Sequence, residues 1–273
     1  MQDQPTKRII LFRYHKDLEV CRNHLNLLKK LNPEVPIYGL FGGKKDEFKG
    51  FAKGLQDLLE NNYIILVEDG EWKWKHGDLA IRQWYLDYGN KLDFDVLYFI
   101  EWDMLLFAPL SEIYSHVPDS GVGLTGLRPL REVEDKWNWV AKEPARSEWL
   151  ALLEYVKNDF SYKQKPYGCL FPGGVFPKRF LEEYSKIEFS RLCHDELRVP
   201  LFAQVLGFNL FDTKLYGEWF DPKQWETFNC LSKDIRLEVI KRELTKENGC
   251  RVFHPFRKEI NPPFITKTIN KKQ

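Results

Sequence analysis

Residues Asp95–Leu110 read DVLYFIEWDMLLFAPL, an apolar run interrupted by two carboxylates, Glu101 and Asp103, with one tryptophan between them. Val96, Leu97, Tyr98, Phe99 and Ile100 are β-branched, aromatic or aliphatic with no polar alternation. That is the pattern of a strand covered on both faces in a parallel or mixed sheet. Acids at the carboxyl end of such a strand stand where open α/β sheets bind ligands. A buried carboxylate without a partner is costly or changes its protonation, so a cation is required beside the pair: Arg, Lys or a metal. A divalent metal carrying a phosphorylated ligand is the leading reading.

Upstream, the chain alternates. Arg8–Phe12 is a short apolar strand, after which Leu18, Cys21, Leu25 and Leu28 recur at helical spacing until Asn32-Pro33. Pro36–Phe41 is a second strand closed by Gly42-Gly43, and Phe48, Phe51, Ala52, Leu55, Leu58 and Leu59 line a second helix. Tyr63–Val67 is a third strand. A Trp/Lys-rich loop follows it, then a third helix marked by Ile81, Trp84, Tyr85, Tyr88 and Leu92. Three β–α units feeding a fourth buried strand describe a Rossmann-like half built on right-handed crossovers. The first β–α turn, Arg13-Tyr14-His15-Lys16-Asp17, contains neither GxGxxG nor GxxxxGK[ST]. A bound phosphate would need another source of positive charge.

Downstream, Gly121–Leu127 reads as a strand, and Trp149, Leu152, Leu153 and Val156 as a helix. Lys165–Phe176 is rich in turn formers. Its Gly173-Gly174 allow positive φ and close backbone approach beside a ligand, with an ordinary tight turn as the alternative. Pro200 begins or kinks an apolar helix, Leu201–Leu206, and Gly207 is a natural stop. His194, Asp195 and Glu196 therefore lie at or just before a helix N-terminus, where an acid can also serve simply as a cap. Leu237, Ile240 and Leu244 form a helical stripe, and Cys250–Phe253 is a strand delivering His254-Pro255 and then Arg257-Lys258. No Pro/Ser/Gly-rich linker divides the chain. A single α/β domain over residues 1–264 is expected, with halves at 8–110 and 111–264 and a polar tail at 265–273.

Lys and Arg number 41 against 40 Asp and Glu, a formal net charge of +1, which gives no global reason to expect nucleic acid or an anionic membrane as partner. The five cysteines are scattered singly, so neither a zinc site nor a disulfide framework is indicated. No run approaches a transmembrane span and the N-terminus lacks a signal-peptide core. A soluble, cytoplasmic protein is expected. The aromatic share of 15%, with nine tryptophans, suits a large core and stacking surfaces for sugars or bases.

The order of these features resembles the GT-A glycosyltransferases over roughly residues 8–258: an amino half without a glycine fingerprint, an acid-x-Asp pair ending a strand, a Pro-Gly-Gly turn, an acidic pair at a helix start, and a late strand ending in His. The resemblance implies a GT-A fold, with a Rossmann-like nucleotide-binding half on a mixed sheet fused to a smaller acceptor-binding half. It implies transfer of a sugar from a nucleoside-diphosphate sugar, UDP-linked by first choice, to an acceptor hydroxyl. Asp103 and Glu101 would hold Mg²⁺ or Mn²⁺. The first position is Glu where Asp is usual, so Asp103 is the firmer ligand. His254 would be the late ligand, tilting the choice toward Mn²⁺. Arg257 and Lys258 would lie near the diphosphate, Gly173 and Gly174 beside the ligand. Asp195 and Glu196 resemble the acidic motif carrying the catalytic base of inverting enzymes, in reversed order, with Asp195 the first choice. Tyr14 and His15 would meet the nucleotide base and Asp69 a uracil N–H, though Asp69 before Gly70 equally suits a plain turn. Arg82 resembles an arginine that reaches the donor in several such families. Two alternatives stand beside this reading: a sugar-phosphate nucleotidyltransferase, and a non-catalytic relative that binds carbohydrate or a partner.

Overall fold

The computed structural model describes residues 5–231 and 233–261, so the tail at 265–273 and the domain end at 264 lie outside the described residues. In chain order the elements are β1 Arg8–Tyr14, α1 Leu18–Leu31, β2 Ile37–Phe41, α2 Phe48–Leu55, β3 Asn61–Ile64, α3 Gly70–Lys75, α4 Gly77–Asp87, β4 Val96–Glu101, β5 Leu105–Leu106, α5 Leu110–Ile113, β6 Val122–Pro129, α6 Asn138–Ala141, α7 Ala145–Asp159, β7 Tyr167–Pro177, α8 Lys178–Ser185, α9 Asp195–Val205, β8 Leu210–Asp212, α10 Leu237–Thr245 and β9 Val252–Phe253. The fold is mixed α/β. A seven-stranded sheet runs β3-β2-β1-β4-β7-β6-β8, and β5 and β9 form a separate pair. The chain divides into two compact units, with β4 split between them. The first comprises Arg8–Leu66, Tyr98–His116 and the segment from Leu215 onward. The second comprises the segment up to Lys7, Val67–Leu97 and Val117–Lys214.

In the first unit, β1, β2 and β3 pair in parallel, Phe12 opposite Gly39 and Gly39 opposite Asn62. The expected β–α alternation is present. The third strand, however, is Asn61–Ile64 rather than Tyr63–Val67. Pairing with β2 ends at Phe41 opposite Ile64, and Leu66 beyond it is 69% exposed. Hydrophobicity marked the neighbourhood, whereas the ladder set the bounds. The second helix likewise stops at Leu55, and Leu58 and Leu59 continue as a buried turn. Antiparallel pairing of Leu105 with Phe253 carries β9 alongside the residues that follow β4. That pair sits in a core of Leu27, Phe107, Ile235, Val239, Ile240 and Phe256.

In the second unit, the Trp/Lys-rich stretch is the short helix α3 rather than a loop, and the next helix runs Gly77–Asp87, earlier than its apolar stripe suggested. The turn expected at Gly173-Gly174 is absorbed into β7. Gly123 faces Val175 while Thr125 faces Leu170, so two steps along β6 match five along β7, and Pro172-Gly173-Gly174 are thrown out of the ladder as a bulge. Gly173 adopts φ +81°, a conformation that only glycine takes at little cost. Thr125 Oγ1 ties the bulge down by donating to the Pro172 carbonyl at 2.7 Å. Helix α9 starts at Asp195 and carries Pro200 inside it, rather than beginning there. Proline has no N–H to give the Glu196 carbonyl. The Cys169 thiol donates to that oxygen instead, at 3.4 Å.

Candidate functional site

Glu101 ends β4 and Asp103 follows two positions later, after Trp102. The Phe256 N–H donates to the Asp103 carbonyl at 2.8 Å, holding the segment after β9 against it. As a result Glu101, Asp103 and His254 each present a ligand atom within 4.8 Å of the others. His254 Nδ1 donates to the Asn229 carbonyl at 2.7 Å, which fixes the ring and leaves Nε2 facing the acids. Nε2 stands 3.4 Å from Asp103 Oδ1, a buried oxygen with no hydrogen-bond partner. The other oxygen, Oδ2, accepts from Arg257 Nε at 3.1 Å, while Arg257 Nη1 donates to Asp234 at 3.1 Å. Arg13 lies 3.3 Å from Glu101. Burial alone would raise the Asp103 carboxyl, but His254 and Arg257 outweigh it and hold the group at about 2. Burial likewise lowers His254, and the charge of Asp103 more than reverses this.

These groups fit a divalent cation. Two carboxylates and an imidazole with ligand atoms within 4.8 Å of one another are a suitable donor set for Mg²⁺ or Mn²⁺. Of the other expected residues in this unit, His15 is exposed and packs edge-on to Trp102 with ring centroids 5.3 Å apart. Tyr14 is a correction: its ring is wholly buried against Phe12, Phe41 and Phe51, with its hydroxyl on Asn62, so no nucleotide can stack on it. Two positions apart on β1, Phe12 and Tyr14 stand on the same covered face. Arg257 is joined to Asp103 and Asp234 rather than standing apart from the acids, and Lys258 is exposed.

The second unit carries the other acids. Asp195 is 1% exposed, and its Oδ2 accepts from the Gly77 N–H at 2.9 Å, the first amide of α4. Asp195 therefore meets two helix N-termini, its own and that of α4. His194 caps α9. Its Nδ1 lies 3.0 Å from Asp195 Oδ1 and 3.3 Å from the Glu196 N–H, so the charged ring donates to the acid and the neutral ring accepts from the amide. Glu196 Oε2 accepts from Trp139 Nε1 at 2.9 Å. Burial lifts its carboxyl to about 7 against the opposing charge of His194.

Beneath them Arg198 is completely buried. It grips Asp78 through Nε (2.8 Å to Oδ2) and Nη2, and the Tyr184 hydroxyl donates to the same carboxylate. Arg198 Nη2 also lies 3.2 Å from His76 Nδ1. Burial and Arg198 hold this histidine neutral, at about 4.

Gly173 and Gly174 are buried in the β7 bulge, and a Cβ on Gly174 would meet the Phe176 ring at 2.7 Å. Asp69 caps α3 through the Glu71 and Trp72 amides. Arg82 donates to the Ser185 and Ile187 carbonyls at the end of α8. The sequence analysis placed His194 at the helix start and passed over Asp78 and Arg198. A charged arginine inside the apolar stretch LRVPLFAQV was the one available sign of an internal ion pair.

No family model matches the chain, and no curated protein matches it. Among solved structures, it is similar to the apo form of the bifunctional glycosyltransferase WbbM, at 11% identity and TM-score 0.47 over 98% of this chain. It is also similar to the galactosyltransferase LgtC in complex with donor and acceptor sugar analogues, at 12% identity and TM-score 0.37 over 66% of this chain. The chain spans 50% of the length of the first of these and 60% of the second.

Proposed function

We propose that the chain is a divalent-metal-dependent glycosyltransferase of GT-A type, moving a sugar from a nucleoside-diphosphate donor, UDP-linked by preference, to an acceptor hydroxyl. The observation that carries this reading is the Glu101, Asp103 and His254 cluster at the carboxyl end of β4, whose ligand atoms lie within 4.8 Å of one another. Glu101, Asp103 and His254 would hold Mn²⁺ or Mg²⁺, which would supply Lewis-acid stabilisation for the charge that develops on a diphosphate leaving group. The chain's own groups prepare the site. Arg257 keeps Asp103 oriented through Oδ2, and the Asn229 carbonyl keeps His254 Nε2 available.

Inversion is the preferred course, with Glu196, in place of the first-choice Asp195, as the base that takes the acceptor proton. A carboxyl titrating at about 7 is matched to that task near neutral pH. Asp195, held by Gly77 and His194, then orients the motif. The sign is direct: the base works as carboxylate, so turnover rises with pH through about 7, and Glu196→Gln abolishes that rise. A panel of UDP-sugars tested with and without Mn²⁺, read as UDP release, examines the whole reading. Mn²⁺-dependent release lost in Asp103→Asn is expected. Absence of both release and metal-dependent UDP binding would overturn it, and pyrophosphate release from nucleoside triphosphates would reassign the chain to nucleotidyl transfer.

A further inference from the structure

His24, on α1, is a buried histidine with no part in the ligand set. Its Nδ1 lies 2.8 Å from the carbonyl oxygen of Trp102, and its Nε2 lies 3.0 Å from that of Lys258. Trp102 is the residue between Glu101 and Asp103, whereas Lys258 follows Arg257 in the segment that starts at His254. One imidazole thus touches both stretches of backbone that supply the ligands, although Asp103 and Arg257 are 154 positions apart in the chain. The Phe256 ring stacks on it, with centroids 6.0 Å apart and planes at 25°. Its neighbour Asn23 grips the same late segment further on. Asn23 Oδ1 accepts from the Ile260 N–H at 2.8 Å, and its Nδ2 donates to the Ile260 carbonyl at 2.9 Å.

A carbonyl oxygen only accepts and a neutral imidazole carries a single N–H, so His24, kept neutral by burial, donates to one of the two carbonyls and packs against the other. An apolar side chain would fill the same space but remove the polar contact with the buried Trp102 carbonyl and the part-buried Lys258 carbonyl. The polar contacts of His24 go to the residue between the two acids and to the residue beyond Arg257, which is where a brace for the metal site has to attach.

We propose that His24 is a positioning residue of the metal site, fixing the separation of the Glu101–Asp103 pair from His254 by holding the Trp102 and Lys258 backbone together, and that it thereby sets affinity for a divalent cation. This rests on the metal reading above and extends it to a residue that does not touch the ion. Partners one step removed from metal ligands typically govern affinity by about 10–100-fold.

The test compares wild type, His24→Leu and His24→Gln. Mn²⁺ binding is titrated by the electron-spin resonance of the free ion, alongside hydrogen exchange and thermal unfolding. Expected are a weakening of Mn²⁺ affinity in His24→Leu by about 10-fold or more, a smaller loss in His24→Gln, which retains an N–H donor, and faster amide exchange over residues 102–106 and 252–260. A folded His24→Leu with unchanged Mn²⁺ affinity overturns the proposal, since a purely structural histidine lowers the melting temperature alone. Where the leucine variant does not fold, unchanged Mn²⁺ affinity in His24→Gln overturns it equally. A wild-type chain that binds no Mn²⁺ overturns the metal reading and the affinity role with it. The exchange comparison needs no metal, so failure of the brace and failure of the metal site are read separately.

Discussion

Asp103 uses its two oxygens differently: Oδ2 is committed to Arg257, and Oδ1 has no hydrogen-bond partner. Glu101 is less buried and engages Arg13 at the longer distance of 3.3 Å. Asp103→Asn is therefore expected to abolish metal-dependent activity, and Glu101→Gln to reduce it less. Equal, mild losses in UDP release would contradict this ranking. The buried pair Asp78–Arg198 makes a different prediction, one of stability. Asp78→Asn leaves a fully buried guanidinium without its counter-charge, and breaking such a pair typically costs about 3–5 kcal/mol. A denaturant midpoint lowered accordingly is the expected outcome. The carboxylate pair was legible in the sequence because charge inside an apolar run is a local signal. Asp78 was not, since a lone acid in the first turn of a helix looks like any other until Arg198 closes on it.

Elements show the same division. The strands β1, β2 and β4 and the helix α1 follow from hydrophobic period, which is written in a few consecutive residues. β3 and β7 depart from it because their bounds are set by partners. β3 ends where β2 ends, and β7 incorporates Pro172-Gly173-Gly174 by bulging past β6. The bulge gives a prediction at its own scale. Gly173→Ala places a Cβ in the left-handed region at φ +81° and is expected to cost about 1–2 kcal/mol, read as a lowered thermal midpoint. Helix α9 tolerates Pro200 because Cys169 takes over the orphaned Glu196 carbonyl. Nothing near Pro200 in sequence announced a thiol 31 positions earlier; only the pairing of α9 with β7 supplies it.

For the whole molecule, Glu196 couples folding to pH. Its carboxyl is raised from 4.5 to about 7 in the fold, so between these values the folded chain holds a proton that the unfolded chain has released. Stability therefore falls as pH rises through this window, by up to about 1.4 kcal/mol per pH unit from this group. Glu196→Gln is expected to flatten the fall in urea midpoint between pH 5 and 7, and an unchanged slope would place the coupling elsewhere.

The sequence by itself determined the β–α alternation, the buried strand β4 and the acids at its end, because period and burial cost act over neighbouring residues. Tertiary structure decided that His254 meets Glu101 and Asp103, that Tyr14 belongs to the core, and that Asp195 and Glu196 rest on a buried Asp78–Arg198 pair. Each of these joins positions far apart in the chain. Their meeting depends on strand register and helix packing, which no local pattern of residues encodes.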